Sequence, residues 1–359
     1  MTDIKLIEAL SNAPGAPGFE DEVIDVVLKY KGSLKAKKDS LKNLYLYPKN
    51  YDASKPTLML DAHLDEVGFI VSYIDQNGLL GIEMLGRWEW YNVSAHLFKV
   101  RNRDGQYIKG IVGSKPPHFL TPEERDNGLT MKDMKLDIGA TSREEVMDTF
   151  GIEVGAPIVP DVTFDYNDKN QSMLGKAFDN RLGCAAVIET LKALENEDLP
   201  VNVVGALAAQ EEVGLRGATV TARRVDPQLA IVFEGTPSDD YAKPVELSQA
   251  RMGHGPQIRH KDSSYIANEE WISLANKVSK THAIPVQHAV REGGGTNAGR
   301  IHLNNLGVPV LVLGVPSRYA HTHHLFASFE DFNHTVQLAA ESIKAIDQSF
   351  LNKFEVDFD

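Results

Sequence analysis

The chain has 359 residues, enough for one or two domains with a sizeable core, and its 42% apolar and 24% charged residues are ordinary for a globular protein. A formal net charge of −13 disfavours nucleic acid or an anionic membrane as the main partner, since either would be approached through a repulsive field. The opening MTDIKLIEALSNAPG lacks a secretory pattern, no eighteen-residue apolar run could span a bilayer, and the single Cys184 excludes an internal disulfide, so a cytoplasmic protein is expected.

Residues 4–10 and 20–30 read as helices joined by the Gly/Pro-rich segment Ala13–Gly18. The apolar run Thr57–Leu60 then reads as a strand. From about Val71 to Tyr166, short alternating strands such as Leu97–Val100 and Tyr107–Val112 are separated by Asn-Gly, Asp-Gly and Pro-Pro turns, the pattern of a small β-rich insertion. Beyond it, Val201–Leu207, Leu229–Phe233 and Pro309–Leu313 suit strands buried on both faces, and helical periods lie at Asn180–Leu194, Trp271–Thr281 and Phe329–Phe350. The alternation predicts an α/β fold, a mixed, mostly parallel sheet flanked by helices. It would be built from residues 1–70 and 167–359, with the β-rich domain inserted at 71–166. Cys184, inside the apolar run Leu182–Val187, is expected to pack in the core and not to act as a nucleophile.

Four of these strands run into residues able to bind metal. Thr57–Leu60 leads to His63 and Asp65, Val201–Ala209 to Glu211-Glu212, Leu229–Phe233 to Glu234, and Pro309–Leu313 through a short loop to His321. Ligands of open α/β sheets bind beyond the carboxyl ends of the strands, so these four ends are expected to converge. A fifth element places Asp179 before an apolar helix, where Asp179 or Asn180 also suits a helix cap. Taken singly, His63, Glu234 and His321 each have an ordinary structural reading. Glu211-Glu212 is harder to read so, because two adjacent carboxylates after an apolar strand repel and resist burial unless cations compensate them. Adjacent strand residues point to opposite faces, so both glutamates can serve one centre only if the chain leaves strand geometry there, which Gly214 and Gly217 permit. One carboxylate can then bind metal while the other carries a proton. Mixed histidine and carboxylate donors suit zinc, and also cobalt or manganese.

His63-x-Asp65, Ala177-Phe178-Asp179-Asn180-Arg181, Gln210-Glu211-Glu212-Val213-Gly214-Leu215-Arg216-Gly217-Ala218 and Arg318-Tyr319-Ala320-His321 resemble motifs of the glutamyl and deblocking aminopeptidases, whose members assemble into tetrahedral particles. The resemblance covers nearly the whole chain, including Gly113–His118 and the loop Gly293-Gly294-Gly295-Thr296. It implies a zinc-peptidase-like catalytic domain with two divalent metal ions per subunit. His63, Asp179 and Glu234 would hold one ion, and Asp179, Glu212 and His321 the other. It also implies Glu211 as general base and Asp65 as the residue orienting His63 through its far nitrogen. Three positions depart from the family pattern. Glu234 and Asn297 stand where aspartate is common, and Thr322-His323-His324-Leu325-Phe326 follows His321 without the glutamate of some members, so His323 and His324 compete with His321 as ligands.

The expected function is removal of N-terminal residues from short peptides. A metal-dependent deacylase or carboxypeptidase is the nearest alternative, because the same metal pair activates water against any amide. Glycoside hydrolysis, which needs carboxyls flanking a sugar bond, and a non-catalytic peptide-binding scaffold fit the motifs less well. A preference for acidic N-terminal residues would need a cationic pocket, for which Arg259, His260, Lys261, His288 and Arg291 are candidates. The resemblance further implies a homo-oligomer, with a dodecamer as its candidate size and the inserted domain at the subunit contacts.

Overall fold

The computed structural model describes residues 3–127 and 130–354. The outer limits of the expected domains, residues 1 and 359, lie outside the described residues. The strands in chain order are β1 (Lys35–Lys38), β2 (Leu44–Tyr47), β3 (Thr57–His63), β4 (Gly68–Ile74), β5 (Leu80–Leu85), β6 (Leu97–Arg101), β7 (Tyr107–Val112), β8 (Lys135–Asp137), β9 (Pro157–Pro160), β10 (Asp165–Asn167), β11 (Ser172–Gly175), β12 (Asn202–Ala208), β13 (Leu229–Glu234), β14 (Gln257–Lys261), β15 (Gln287–Val290), β16 (Val310–Gly314), β17 (Ser317–Arg318) and β18 (Leu325–Ser328).

The main sheet has the order β1-β2-β12-β3-β13-β16-β14-β15. Its centre, β12, β3, β13 and β16, is parallel and buried along its whole length, which is why these segments read as unbroken apolar runs. β2 and β14 flank the centre in antiparallel pairing, which makes the sheet mixed. Helices Ile4–Asn12, Phe178–Ala193, Glu269–Thr281 and Phe329–Lys344 contribute to the larger core on one face. Helices Arg216–Val225 and Ala298–Ile301 pack a smaller core on the other. A four-stranded sheet, β10-β11-β18-β17, stands beside them.

Strands β4 to β9 close into a six-stranded barrel with a separate core around Phe69, Trp88, Phe98 and Leu136. The barrel begins at Gly68, three residues before the expected start of the insertion, and its last strand ends at Pro160. Asp165–Asn167 pairs with β11 outside it. The helix expected over Phe329–Phe350 is two helices, Phe329–Lys344 and Gln348–Leu351. Asp347 interrupts the apolar period and caps the second helix, accepting a hydrogen bond from Phe350 N at 2.8 Å. Among the described residues no helix is long and apolar enough to cross a membrane.

Candidate metal centre and active-site cleft

The parallel register aligns the ends of the central strands. His63 pairs with Ala208 across β3 and β12, and Glu234 with Gly314 across β13 and β16, so all four strands deliver their carboxyl ends to one edge of the sheet. At that edge the chain after β12 does leave strand geometry, with Gln210 at φ 57°, Gly214 at φ 124° and Leu215 at φ 57°. Gly217 serves a different need. A Cβ there would lie 2.3 Å from the Ala209 carbonyl oxygen, so only glycine lets the helix start pack this closely.

Three consecutive amides in this turn are received by carboxylates. Gln210 N donates to Glu20 at 3.1 Å, and Glu211 N and Glu212 N donate to the two oxygens of Asp65 at 2.9 and 3.0 Å. Asp65 therefore holds the glutamate pair directly. Its carboxylate stands 3.6 Å from His63 Nδ1, whose hydrogen bond goes to the Asp65 backbone carbonyl at 3.1 Å, so the expected orienting contact is made by main chain. Either acceptor leaves His63 Nε2 facing the cluster.

Asp179 lies at the irregular start of helix Phe178–Ala193, where Asp179 and Asn180 depart from helical geometry and their peptide bond is cis. Its two oxygens face different rings. Oδ1 is 3.0 Å from His63 Nε2, and Oδ2 is 3.5 Å from His321 Nε2. Glu211 stands 3.9 Å from His63 Nε2, and Glu212 3.7 Å from His321 Nε2. Asn180 takes the capping role, accepting from Gly183 N at 3.0 Å, and its amide donates to Glu234 at 3.1 Å. Gly235 backs this segment so closely that a Cβ would lie 2.6 Å from Asp179 Cα. His321 Nδ1–H donates to the backbone carbonyl of Arg87, a barrel residue, at 3.0 Å. His323 is buried away from the cluster, stacked on His96 at 4.1 Å and packed on Trp88 and Phe98; burial pushes its pKa down to about 3. Of these two histidines, His321 faces the carboxylates and His323 does not, while His324 is exposed.

Behind the cluster is a buried ionic network whose role the sequence reading did not find. Arg181 donates to the carbonyls of Leu64, Leu10 and Ala13 at 2.7, 2.6 and 2.7 Å, and Lys176 meets Glu66 at 2.6 Å. These bonds tie the segments carrying Asp65 and Asp179 to the N-terminal helix. Cys184 is buried, its thiol donates to the His63 carbonyl, and burial pushes it up to about 12, which disfavours the thiolate at neutral pH.

Electrostatics test whether cations suit the cluster. Burial holds the carboxyls of Glu211 and Glu234 well above the ordinary range and lifts Glu212 to about 8. Burial also pushes Asp179 upward, but hydrogen bonds with His321 and His63 outweigh it and hold this carboxyl well below the usual range. Burial opposes charge on the imidazoles as well, yet Glu211 and Asp179 keep His63 well above its usual value, and Glu212 and Asp179 lift His321 to about 10. Such proton hunger is what a hard dication relieves, and oxygen and imidazole donors are its usual ligands. His63, Glu211 and Glu234 offer donor atoms within 4.8 Å of one another, as do His63, Asp179 and Glu212. The first triplet contains Glu211 in the place expected for Asp179.

A cleft of about 830 Å³ opens over the cluster. Of the five cationic candidates, Arg259 and Arg291 line it. His260 and His288 bond to each other at 2.8 Å, and neither they nor Lys261 belong to the lining. The lining also holds Arg87 and Lys243, which lie outside the motifs. They came from loops whose place over the cluster only the fold reveals.

An open, mostly parallel sheet with a buried histidine–carboxylate cluster at its strand ends, beneath a peptide-sized cleft, fits a metal-dependent hydrolase of amide bonds. The chain belongs to the M42 glutamyl aminopeptidase family, whose sequence pattern matches residues 43–338, and it is an aminopeptidase, a peptide-bond hydrolase. It is 32% identical to the glutamyl aminopeptidase of Lactococcus lactis subsp. cremoris over 339 residues, 91% of each chain. Among solved structures it is similar to the TET aminopeptidase of the marine sediment archaeon Thaumarchaeota archaeon SCGC AB-539-E09, with a TM-score of 0.91, 37% identity and 98% and 99% of the two chains covered. It is also similar to the dodecameric PhTET1-12s, with a TM-score of 0.83, 25% identity and 96% and 99% covered. The family implies divalent metal, and the donor set present fits it.

Proposed function

We propose that this aminopeptidase removes N-terminal residues from short peptides at a centre of two divalent cations. His63, Asp179 and Glu234 would hold one, and Asp179, Glu212 and His321 the other. The observation that carries this reading is Asp179, whose two oxygens face His63 and His321 separately, the arrangement a bridging ligand requires. The four carboxylates Asp179, Glu211, Glu212 and Glu234 also match two dications in charge. Zinc or cobalt suits these donors best, with manganese next. When bound, the ions supply Lewis acidity to the scissile carbonyl and to the attacking water.

Glu211 is the proton carrier in this reading. It is farther from His63 than Asp179 is, and its burial favours the protonated form, so it can take a proton from water and give it to the departing amine. Asp65 supports it by holding the amides of Glu211 and Glu212. In the cleft wall, Arg259 is paired with Asp262, and Arg291 and Lys243 share Asp239, so each of these three cations already has a carboxylate partner. An acidic preference would have to draw on Arg259 and Arg291; this pairing supports leucyl substrates at least as well as glutamyl ones, and glutamyl, leucyl and lysyl chromogenic substrates compare them. The cytoplasm is the proposed compartment. A homo-oligomer, with twelve chains as its size and the barrel at the contacts, is the proposed assembly; a light-scattering mass of one subunit would exclude it.

The direct test is Glu211→Gln with metal analysis. Metal and fold should be retained while activity drops at least about a hundredfold, the scale of a lost general base. A fully active variant overturns the assignment.

A further inference from the structure

Arg87 differs from the other cations of the cleft. Arg259, Arg291 and Lys243 each have a carboxylate partner, whereas exposed Arg87 has none among the described residues. Its backbone is nevertheless fixed. Its carbonyl receives His321 Nδ1–H, and the next residue, Trp88, is buried in the barrel core and stacked on Phe69. The guanidinium is therefore presented to the cleft from a rigid anchor.

The cleft's cations fall on opposite sides of the cluster. Thr236 follows Glu234 by two residues and accepts from Arg259 Nη2 at 2.8 Å, so this pair lies on the Glu234 side. Arg87 lies on the other side, where its carbonyl meets His321. With the side chain of the terminal residue on the Glu234 side, the rest of the peptide leaves past His321 and Arg87.

We propose that Arg87 is a specificity-determining residue that binds the free carboxylate of dipeptide substrates, so that the enzyme favours dipeptides over amidated or longer peptides. This rests on the aminopeptidase reading of the site and on its proposed polarity. In a dipeptide the carboxylate sits on the residue directly after the scissile bond. An amidated or longer peptide offers a neutral carbonyl there, a weaker acceptor for the planar guanidinium fork.

The test uses the metal-loaded full chain and compares kcat/KM for Leu-Leu with that for Leu-Leu amide. The wild type should favour the free acid by about tenfold or more, the scale of one charge-assisted hydrogen bond, mainly through KM. Arg87→Gln should bring the ratio close to unity. Arg87→Lys should give an intermediate ratio, because it keeps the charge and loses the fork. A ratio unchanged in Arg87→Gln overturns the inference, and so does an equal loss on both substrates, which would mean that the side chain acts only through His321. A wild type that cleaves both equally well sinks this inference alone. One that cleaves neither these nor the matching glutamyl and lysyl pairs removes the proposed reading of the site and this inference with it.

Discussion

Asp65→Asn isolates how the glutamate pair is held. The native carboxylate accepts two buried amides, from Glu211 and Glu212, at 2.9 and 3.0 Å, and Asp65 is fully buried. Asparagine keeps one acceptor oxygen and turns its amino group towards the other N–H. The change removes a charge-assisted bond worth about 1.5–3 kcal/mol and leaves a buried donor unpaired at about 1–3 kcal/mol, so the turn should be destabilised by about 2.5–6 kcal/mol. That is enough to displace both carboxylates, and a misplacement of about 1 Å costs about a hundredfold in rate. Steady-state hydrolysis of a leucyl chromogenic substrate, with metal content measured on the same sample, should show a fall of at least about a hundredfold together with partial metal loss. A variant with full metal content and activity within about tenfold of wild type would refute this account of Asp65.

Three further outcomes follow from the geometry. Gly235→Ala puts a Cβ 2.6 Å from Asp179 Cα and should reduce activity at least about a hundredfold without altering any proposed ligand; kinetics near wild type would show that the segment yields freely. Lys176→Met leaves buried Glu66 with Arg181 alone and should destabilise the chain by about 3–5 kcal/mol, read as a lower denaturant midpoint. Metal binding should release protons, because Glu212 titrates near 8 and His321 near 10 in the ion-free cluster. Apparent affinity should rise with pH from 6 to 9, and calorimetry in buffers of different ionisation enthalpy would detect the release, whereas a pH-independent affinity would contradict the cluster electrostatics.

The central sheet was legible because its strands are buried on both faces and carry unbroken apolar runs. His63, Glu211-Glu212 and Glu234 were legible because they stand at or just past the carboxyl ends of such runs, where a charge needs a reason, whereas Asp179 and His321 were read from the motifs around them. Less legible were elements whose pattern is set by neighbours. The helix Arg216–Val225 begins directly after the Glu211-Glu212 turn, and β14 and β15 mix charged and polar residues, so none of the three stood out by periodicity. The different surroundings of His321 and His323 could not be read from the sequence, because they depend on packing: His323 fills an aromatic pocket at the barrel. The paired amides on Asp65, the Glu66–Lys176–Arg181 network and the presence of Arg87 in the cleft all join residues from distant parts of the chain, so no local spacing announces them.

The contact between Arg87 and His321 bears on modularity. Gly86, just before it, is pressed so close that a Cβ would lie 2.7 Å from Val67 Cγ1 and 3.3 Å from Glu212 Cβ, which presses the end of a barrel hairpin against the proposed ligand Glu212. Deleting the barrel would therefore not leave a smaller working peptidase. It would free the His321 ring to rotate and remove one wall beside Glu212. The two halves must be inherited, and engineered, as one unit.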